Sequence, residues 1–224
     1  MKKVNSIRGM HDVFGKEYQK RKYIIDIFIR FIESHNYSPV STPLLEYSEV
    51  FKRTLGSSSD VVMKEMYSFM DKSNDLLTLR PEGTASIARA IISNGLTQKL
   101  PLKLYYYGPM FRYERPQKGR YREFNQLGIE FFGNGKVYED WEIIYLAYKF
   151  LKELKIEDSL NLRINTLGET ESRKKYVNEI KKYFFSNIKK LSEDSKKRLE
   201  RNVLLYLFAS GYKKVNILLE ICVF

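Results

Sequence analysis

Cysteine, histidine and long apolar runs are scarce in this sequence. Its 224 residues include one cysteine, Cys222, and two histidines, His11 and His35. An internal disulfide framework is therefore excluded, and a metal site made of cysteine and histidine ligands is not expected. The longest apolar stretch, at the C-terminus, is interrupted by two lysines and a glutamate, so it does not predict a membrane span.

The sequence also lacks the short motifs of several common nucleotide-binding and hydrolytic sites. It contains neither a Walker-type glycine loop nor a Rossmann fingerprint, so any nucleotide site must have another architecture. No Ser-His-Asp or Cys-His arrangement suggests nucleophilic catalysis. The first residues, MKKVNSIRG, have no apolar core of a secretory signal, which predicts a cytoplasmic location and no membrane partner.

Positive charge and hydrophobic side chains are both abundant. Lysine and arginine number 39 against 27 aspartates and glutamates, which gives a net charge of +12 and predicts a polyanionic partner. The hydrophobic fraction of 43% and the charged fraction of 29% are typical of a folded globular protein. The length allows one large domain or two small ones.

Hydrophobic periodicity predicts both helices and strands. The predicted helices cover residues 16–35, 46–55, 82–94, 137–154 and 170–202, and the predicted strands cover 66–70, 76–79, 102–107, 124–132 and 160–165. The first helix is expected to bury Tyr23, Ile24, Ile27, Phe28, Phe31 and Ile32, and the fourth Trp141, Ile144, Tyr145, Tyr148 and Leu151. Because no linker rich in proline, glycine or serine divides the chain, these elements predict a single α+β domain with antiparallel strands.

A basic segment joins two of the predicted strands. Five arginines and lysines lie within residues 112–122 and alternate with tyrosines, between strands 102–107 and 124–132. Arginine binds phosphate oxygens through two parallel hydrogen bonds, and aromatic rings stack on bases. This pattern predicts a nucleotide or nucleic-acid site, with a solvated charged hairpin as the alternative.

Two further groups of polar residues lie at positions that favour a ligand. Gln126 and Glu130 share one face of a strand, and a buried carboxylate or amide there needs a partner such as an amino group or an imidazole. The alternative is an exposed polar face. Glu82 and Thr84 stand at the start of a predicted helix, where the alternative is capping alone.

These stretches together resemble one enzyme family. The quoted segments are Ile7-Arg8-Gly9-Met10-His11-Asp12, residues 43–53, residues 60–67, Leu79-Arg80-Pro81-Glu82-Gly83-Thr84 and residues 108–124. They resemble segments of the histidyl-tRNA synthetases, a class II aminoacyl-tRNA synthetase family. The first resembles the family's opening signature, residues 43–53 resemble the motif 1 dimer element, and residues 108–124 resemble motif 2. The other two follow further stretches of the family pattern. The resemblance runs from about residue 4 to about residue 202.

The resemblance implies a fold, an activity and an assembly. The implied fold is a class II synthetase-like antiparallel sheet flanked by helices, incomplete at its C-terminus. The implied activity is ATP-dependent activation of histidine and its transfer to the tRNA for histidine, by a homodimer formed through motif 1. Residues 1–168 would be part of the catalytic core, 169–202 a basic helical segment that begins an insertion, and 203–224 an apolar tail outside the family pattern.

The resemblance also implies a role for each residue of the site. Arg112 would be catalytic and would bind the α-phosphate of ATP, and Glu114 would bind the adenine end. The residues implied for histidine are Glu82, Gly83, Thr84, Gln126 and Glu130, and those implied for the tRNA acceptor end are Arg115, Gln117, Arg120 and Arg122. Mg²⁺ would come with the ATP phosphates, with no prosthetic group and no residue assigned as a metal ligand.

The agreement with the family pattern ends at about residue 202. The histidine-specific loop, motif 3 and the anticodon-binding domain do not follow, and the hypothesis is that the tail 203–224 is translated out of frame. Absence of the missing motifs from the other two DNA frames would refute this hypothesis, and a short paralogue with its own terminal helix is the alternative. This chain alone is expected to show little or no ATP–pyrophosphate exchange.

Two other functions are compatible with parts of the pattern. One is a non-catalytic, synthetase-like regulatory subunit of ATP phosphoribosyltransferase, although such a regulator has no need of the tRNA contacts in residues 112–122. The other is a general RNA-binding module, which fails to explain Glu82, Gln126 and Glu130.

Overall fold

The computed structural model of the protein describes residues 4–55, 61–117, 119–133, 135–159, 161–162, 170–192 and 196. The described residues fall into two units, of which the first contains those up to residue 159 and the second contains those from residue 161 onward. The predicted loop 56–60, most of the predicted strand 160–165 and the tail 203–224 lie outside the described residues. Among the described residues, no helix has the length and apolar character that crossing a membrane requires.

The described helices and strands follow the predicted order closely. The α-helices are α1 (Gly15–Glu33), α2 (Ser48–Leu55), α3 (Thr84–Ser93), α4 (Val137–Glu153) and α5 (Thr170–Ser186). The strands are β1 (Ser38–Pro39), β2 (Leu45–Tyr47), β3 (Tyr67–Met70), β4 (Leu76–Leu79), β5 (Leu102–Phe111) and β6 (Glu123–Phe132). The α+β class predicted from the sequence is confirmed.

The larger sheet has the strand order β1-β5-β6. Strands β5 and β6 form the predicted antiparallel hairpin, with a register that runs from Leu102 opposite Phe132 to Phe111 opposite Glu123. Strand β5 continues four residues beyond its predicted end and carries the hairpin to the start of the basic segment. Strand β1 pairs with β5 in parallel, an arrangement that the sequence did not predict because two residues have no measurable period.

Both faces of the larger sheet are covered by helices. On one face, Leu127, Ile129 and Phe131 pack against a buried cluster from α1, α4 and Tyr105. On the other face, Phe124 and Phe132 pack against a cluster that includes Ile87 and Ile91 of α3, Tyr106 and Met110. The alternation predicted for residues 124–132 is therefore confirmed, because successive β6 side chains enter two different clusters.

The predicted core face of α4 is wrong. The helix buries Ile143 and Leu146, whereas Trp141 is 62% exposed. Tyr145 and Tyr148 are also exposed, and Tyr145 stacks on the Trp141 ring. The helix carries apolar side chains on two sides, and the β-sheet selects the aliphatic side.

The predicted core face of α1 is correct only in its second half. Ile27, Phe28 and Ile32 are buried as expected, whereas Tyr23 and Ile24 are exposed. The cluster that includes Phe28 and Ile32 also draws on α4 and the sheet, and no residue before Phe28 belongs to it. Periodicity alone cannot show where along a helix the packing begins.

The smaller sheet has the order β2-β4-β3, and both of its pairings are antiparallel. The predicted hairpin of residues 66–70 and 76–79 is thus confirmed. Thr78 is fully buried on β4, where its hydroxyl contacts Ser48 and lies 2.8 Å from that of Ser68. Glu46 on β2 accepts hydrogen bonds from Arg89 of α3, which links this sheet to the helix beside the larger one.

In the second unit, the described part of the predicted helix 170–202 is interrupted. Helix α5 ends at Ser186, and a 3-10 turn follows at Ile188–Lys190. The side chains of Ser186 and Asn187 both donate to the carbonyl of Tyr183, at 2.8 and 3.0 Å. Such local side-chain bonds compete with the helical backbone bonds, which explains the earlier end.

Candidate active site

The first turn of α3 faces strand β6 and brings together three predicted site residues. The Thr84 hydroxyl donates to Glu130 Oε1 at 2.6 Å. The Glu82 carboxylate accepts the backbone N–H groups of Thr84 and Ala85 at 2.7 and 2.9 Å. Glu82 therefore caps the helix, in agreement with the capping role considered from the sequence. The same turn also places Thr84 in contact with Glu130.

The carboxyl groups of this cluster are buried, and burial changes their ionisation. Glu82 and Glu130 are each 7% exposed, which contradicts the alternative of an exposed polar face at Glu130. Burial raises the pKa of Glu130 to about 7, while the hydrogen bond from Thr84 opposes the rise and the charge of Glu82 adds to it. Burial also raises the pKa of Glu82, which its bonds from Ala85 and Thr84 partly offset.

Gln126 contributes a buried acceptor on the same face of β6 as Glu130. Its Oε1 atom is buried and has no hydrogen-bond partner among the described residues. A buried amide oxygen without a partner is uncommon in folded proteins, because losing its hydrogen bond to water costs about 1–3 kcal/mol. The position therefore suits a ligand that donates a hydrogen bond, such as an amino group.

Arg112 reaches this cluster from the end of β5. Its Nε donates to the Pro81 carbonyl at 2.8 Å, and its guanidinium lies 5.3 Å from the centre of the Phe124 ring. Its positive charge lowers the pKa of Glu82, in opposition to the larger effect of burial. A guanidinium fixed in this way beside a buried carboxylate can bind an anionic group of a ligand.

Buried Arg80 fixes the segment that carries this cluster. Its Nε donates to the Pro109 carbonyl at 3.1 Å, and its Nη1 donates to the Thr42 carbonyl at 3.0 Å. The Arg80 carbonyl in turn accepts the backbone N–H of Phe111 at 2.9 Å. These bonds tie Arg80, which precedes the site residues 82–84, to strand β5 and to Thr42.

The basic segment 112–122 is a hairpin whose arginines differ in their surroundings. Arg115 is exposed, and exposed Arg120 forms an ion pair of 3.2 Å with Glu114. Gln117 and Arg120 exchange backbone hydrogen bonds close to the tip, where Gly119 has a φ of +82°. That backbone conformation favours glycine.

Arg122 is directed toward the base of the hairpin. Its Nε donates to the Glu114 carbonyl at 3.1 Å, and its guanidinium lies 3.9 Å from the centre of the Tyr113 ring. Its backbone N–H donates to the Gly9 carbonyl at 2.7 Å, and His11 packs edge-on against Tyr121. The N-terminal segment therefore lies against the base of the hairpin.

Comparison with known proteins identifies the family of the chain that carries this arrangement. The family model described as histidyl-tRNA synthetase matches residues 9–168. The chain belongs to the histidyl-tRNA synthetase family. The matched region contains the α3–β6 cluster, Arg112 and the basic hairpin.

Curated relatives and a solved structure agree with this membership. The histidine–tRNA ligase of Gluconobacter oxydans (strain 621H) is 46% identical over 200 residues, which are 89% of this chain and 48% of that protein. The histidine–tRNA ligase of Orientia tsutsugamushi (strain Boryong) is 47% identical over 206 residues, 92% of this chain and 49% of that protein. The structure of apo S. aureus histidyl-tRNA synthetase aligns with a TM-score of 0.69 and 31% identity, over 91% of this chain and 48% of that one.

The chain spans about half the length of the curated relatives that it matches. Both of these relatives are named as ligases. The recognition of the family from residues 4–202 is confirmed.

The family chemistry uses ATP, which carries Mg²⁺ on its phosphates. The described residues contain no group of three or more His, Cys, Asp or Glu side chains that could hold a metal ion.

Sequence reasoning missed one residue at the centre of the cluster. Tyr106 of β5 is 7% exposed and lies opposite Gly128 in the β5–β6 register. The β5–β6 register would have revealed it. Pairing residues 102–111 with 123–132 places Tyr106 opposite the position between Gln126 and Glu130. The sequence pattern of each strand alone does not give that pairing.

Proposed function

We propose that this chain forms part of the active site of a histidine–tRNA ligase, which activates histidine with ATP and transfers it to the tRNA for histidine. The observation that carries the proposal is the buried Glu130 carboxyl, which accepts a hydrogen bond from Thr84. The same strand face bears the Oε1 atom of Gln126, which has no partner among the described residues. In this proposal residues 1–168 belong to the catalytic core, 169–202 to a basic insertion, and 203–224 to neither.

Histidine would be recognised at both of its ends. Glu82, Gly83, Thr84 and Gln126 would bind the α-amino group, for which the Gln126 Oε1 atom offers a buried acceptor. Glu130 would accept a hydrogen bond from the imidazole N–H. A buried carboxylate discriminates strongly against amino acids that lack this donor, since they would leave it without a partner.

ATP would bind beside the histidine carboxylate. An oxygen of that carboxylate attacks the α-phosphorus, the bond to the β-phosphate oxygen breaks, and pyrophosphate leaves with the bonding electrons. Arg112 would contact the α-phosphate and stabilise the negative charge that develops there, and Glu114 would bind the adenine end. Mg²⁺ on the phosphates would supply the remaining charge neutralisation.

The acceptor end of the tRNA would lie along the basic hairpin, at Arg115, Gln117, Arg120 and Arg122. Arg115 and Arg120 are exposed and have the charge that phosphate contacts require. Arg122 is half-buried and stacked on Tyr113, so its contribution would be mainly to hold the base of the hairpin.

The protein would act in the cytoplasm as a homodimer formed through residues 43–53. Strand β2, within this segment, lies at the edge of its sheet. Leu44, Leu45 and Tyr47 are exposed there, at 43%, 41% and 58%. An exposed edge strand with apolar side chains is a surface on which a second copy can pack.

Ligand titration of the chain tests the proposed histidine site. Calorimetry at pH 8 should show binding of L-histidine at least about tenfold tighter than binding of L-alanine, because only histidine offers the imidazole N–H. Glu130→Gln should remove most of this preference without changing the affinity for a non-hydrolysable ATP analogue. Equal affinities for the two amino acids would overturn the proposal.

A further inference from the structure

The ring of Tyr106 is packed against two glycines, one on each side of the site. A Cβ atom on Gly128 would lie 2.2 Å from Tyr106 Cζ, and a Cβ atom on Gly83 would lie 2.3 Å from Tyr106 Cε2. Real side chains do not approach so closely, so neither position can carry a side chain while the ring stays in place. Both backbones thus contact the phenol end of the same ring.

Each of these glycines lies between polar residues of the proposed histidine site. Gly83 separates Glu82 from Thr84, and Gly128 stands between Gln126 and Glu130 on one face of β6. Because both glycines contact the Tyr106 ring, the ring determines how closely the start of α3 approaches β6.

The ring is itself held in place by its surroundings. Tyr106 belongs to the buried cluster of Ile87, Ile91 and Met110, of which Ile87 and Met110 are at most 1% exposed. A close-packed side chain in such a cluster has few alternative rotamers, so its contacts set distances reproducibly.

We propose that Tyr106 is a positioning residue that acts as the spacer between the first turn of α3 and strand β6, and so places Glu130 for the imidazole of histidine and Thr84 for its α-amino group. The identity of the ligand rests on the proposed function. The spacing itself is a property of the ligand-free protein and is visible in the 2.6 Å bond between Thr84 Oγ1 and Glu130 Oε1.

Four variants separate the ring, its hydroxyl and the glycine that it contacts. Tyr106→Phe keeps the ring and removes the hydroxyl, whereas Tyr106→Leu removes the ring. Gly128→Ala pushes the ring away with one methyl group. The double variant Gly128→Ala with Tyr106→Leu removes the clash, so it measures the coupling between the two positions.

Two measurements are made on each variant whose far-UV circular dichroism matches the parent chain. The first follows the titration of Glu130 by NMR of ¹³C-labelled glutamate without ligand. The second is the affinity for L-histidine by calorimetry. The first measurement needs no ligand, so it tests the spacer even where the chain does not bind histidine.

The expected results differ between the variants. Tyr106→Phe should keep the Glu130 midpoint near its parent value of about 7. Tyr106→Leu and Gly128→Ala should shift that midpoint by a unit or more toward the ordinary value of about 4.3, since water then reaches the carboxyl. Both should weaken L-histidine binding by about ten- to a hundredfold, and the double variant should lie closer to the parent than Gly128→Ala does.

The outcomes distinguish this proposal from the proposed function. Folded Tyr106→Leu and Gly128→Ala chains with unchanged midpoints would overturn the spacer. Shifted midpoints in a protein that does not bind L-histidine would support the spacer and count against the histidine site. If Tyr106→Leu does not fold, Gly128→Ala and the double variant decide by the same measurements.

Discussion

Glu130 is a carboxyl group whose ionisation lies close to neutral pH. Its burial raises the pKa to about 7, and the neighbouring Glu82 charge acts in the same direction. Thr84 can donate to the ionised form of Glu130, and that bond opposes the rise. The ionised form accepts hydrogen bonds at both oxygens, whereas protonation turns one oxygen into an O–H donor. The ionised form, which predominates above about pH 7, is therefore the better partner for the Thr84 hydroxyl and an imidazole N–H together.

The affinity for L-histidine should therefore depend on pH through Glu130. With a pKa of about 7, the ionised fraction falls about tenfold from pH 8 to pH 6, and the affinity should fall by a similar factor. Calorimetric titrations across this range measure the effect. Glu130→Gln is the control, because any pH dependence that remains belongs to the imidazole of the ligand; an unchanged slope in this variant would contradict the prediction.

The same shift has a consequence for stability, with the opposite dependence on pH. A carboxyl whose pKa is higher in the folded than in the unfolded state binds more protons when folded, so stability decreases as the pH rises. For Glu130 the loss should run from about pH 4.3 to about pH 7 and reach about 4 kcal/mol. Urea unfolding of the parent chain and of Glu130→Gln at pH 5 and pH 8 measures it.

The control for this stability experiment is Glu123→Gln, at an exposed position of the same strand. Its unfolding free energy relative to the parent chain should be the same at both pH values. A parent chain that loses no stability relative to Glu130→Gln between pH 5 and pH 8 would show that Glu130 titrates normally.

At the scale of elements, α4 shows what sequence periodicity can and cannot determine. The helix was predicted to within one residue of its end, but its buried face is formed by Ile143 and Leu146 and not by Trp141. Both sides of α4 carry apolar side chains, and nothing within its sequence shows which side meets the sheet.

Two substitutions on α4 should have very different effects on stability. Leu146→Ala removes a side chain that is 2% exposed and should lower the unfolding free energy by about 2–5 kcal/mol. Trp141→Ala removes a larger but exposed side chain and should cost less than about 1 kcal/mol, mainly its stacking on Tyr145. Chemical denaturation of both variants decides, and the larger loss at Trp141 would contradict the observed packing.

The hairpin of β5 and β6 shows a further limit of sequence reasoning. Its existence, the alternation of β6 and the polar residues Gln126 and Glu130 all followed from residue patterns. The spacing role of Tyr106 did not, because it depends on a register that brings residue 106 opposite residue 128 and on the return of Gly83 from another element. A contact between three separate segments produces no periodic pattern in the sequence of any one segment, so periodicity cannot predict it.

At the scale of the molecule, the basic residues behind the net charge of +12 do not all have the same proposed role. The arginines of residues 112–122 lie in the first unit, where Arg112 donates to the Pro81 carbonyl beside the α3–β6 cluster. Helix α5, in the second unit, also exposes several lysines, among them Lys174, Lys181 and Lys182. The proposed tRNA contacts involve the first group. The α5 lysines are expected to form a solvated surface or, at most, an auxiliary contact.

Salt dependence of tRNA binding should separate these two groups of charges. Each phosphate contact contributes about 0.7–0.9 to the slope of log affinity against log salt concentration. Arg115→Ala and Arg120→Ala should each reduce that slope by about this amount, as measured by fluorescence anisotropy with the tRNA for histidine. The matched control, Lys174→Ala, should leave it nearly unchanged; an equal reduction there would place the contact on α5 as well.

The uneven sequence separation of the strands in the larger sheet has a consequence for how the chain acquires its structure. Strands β5 and β6 are joined only by residues 112–122, and α4 follows β6 closely. Strand β1, by contrast, is separated from its partner β5 by residues 40–101. Closing a short loop loses less entropy than closing a long one, so the nascent chain can form the hairpin and its helix as a local unit. Strand β1 can then pair with the edge of β5 that this hairpin leaves free.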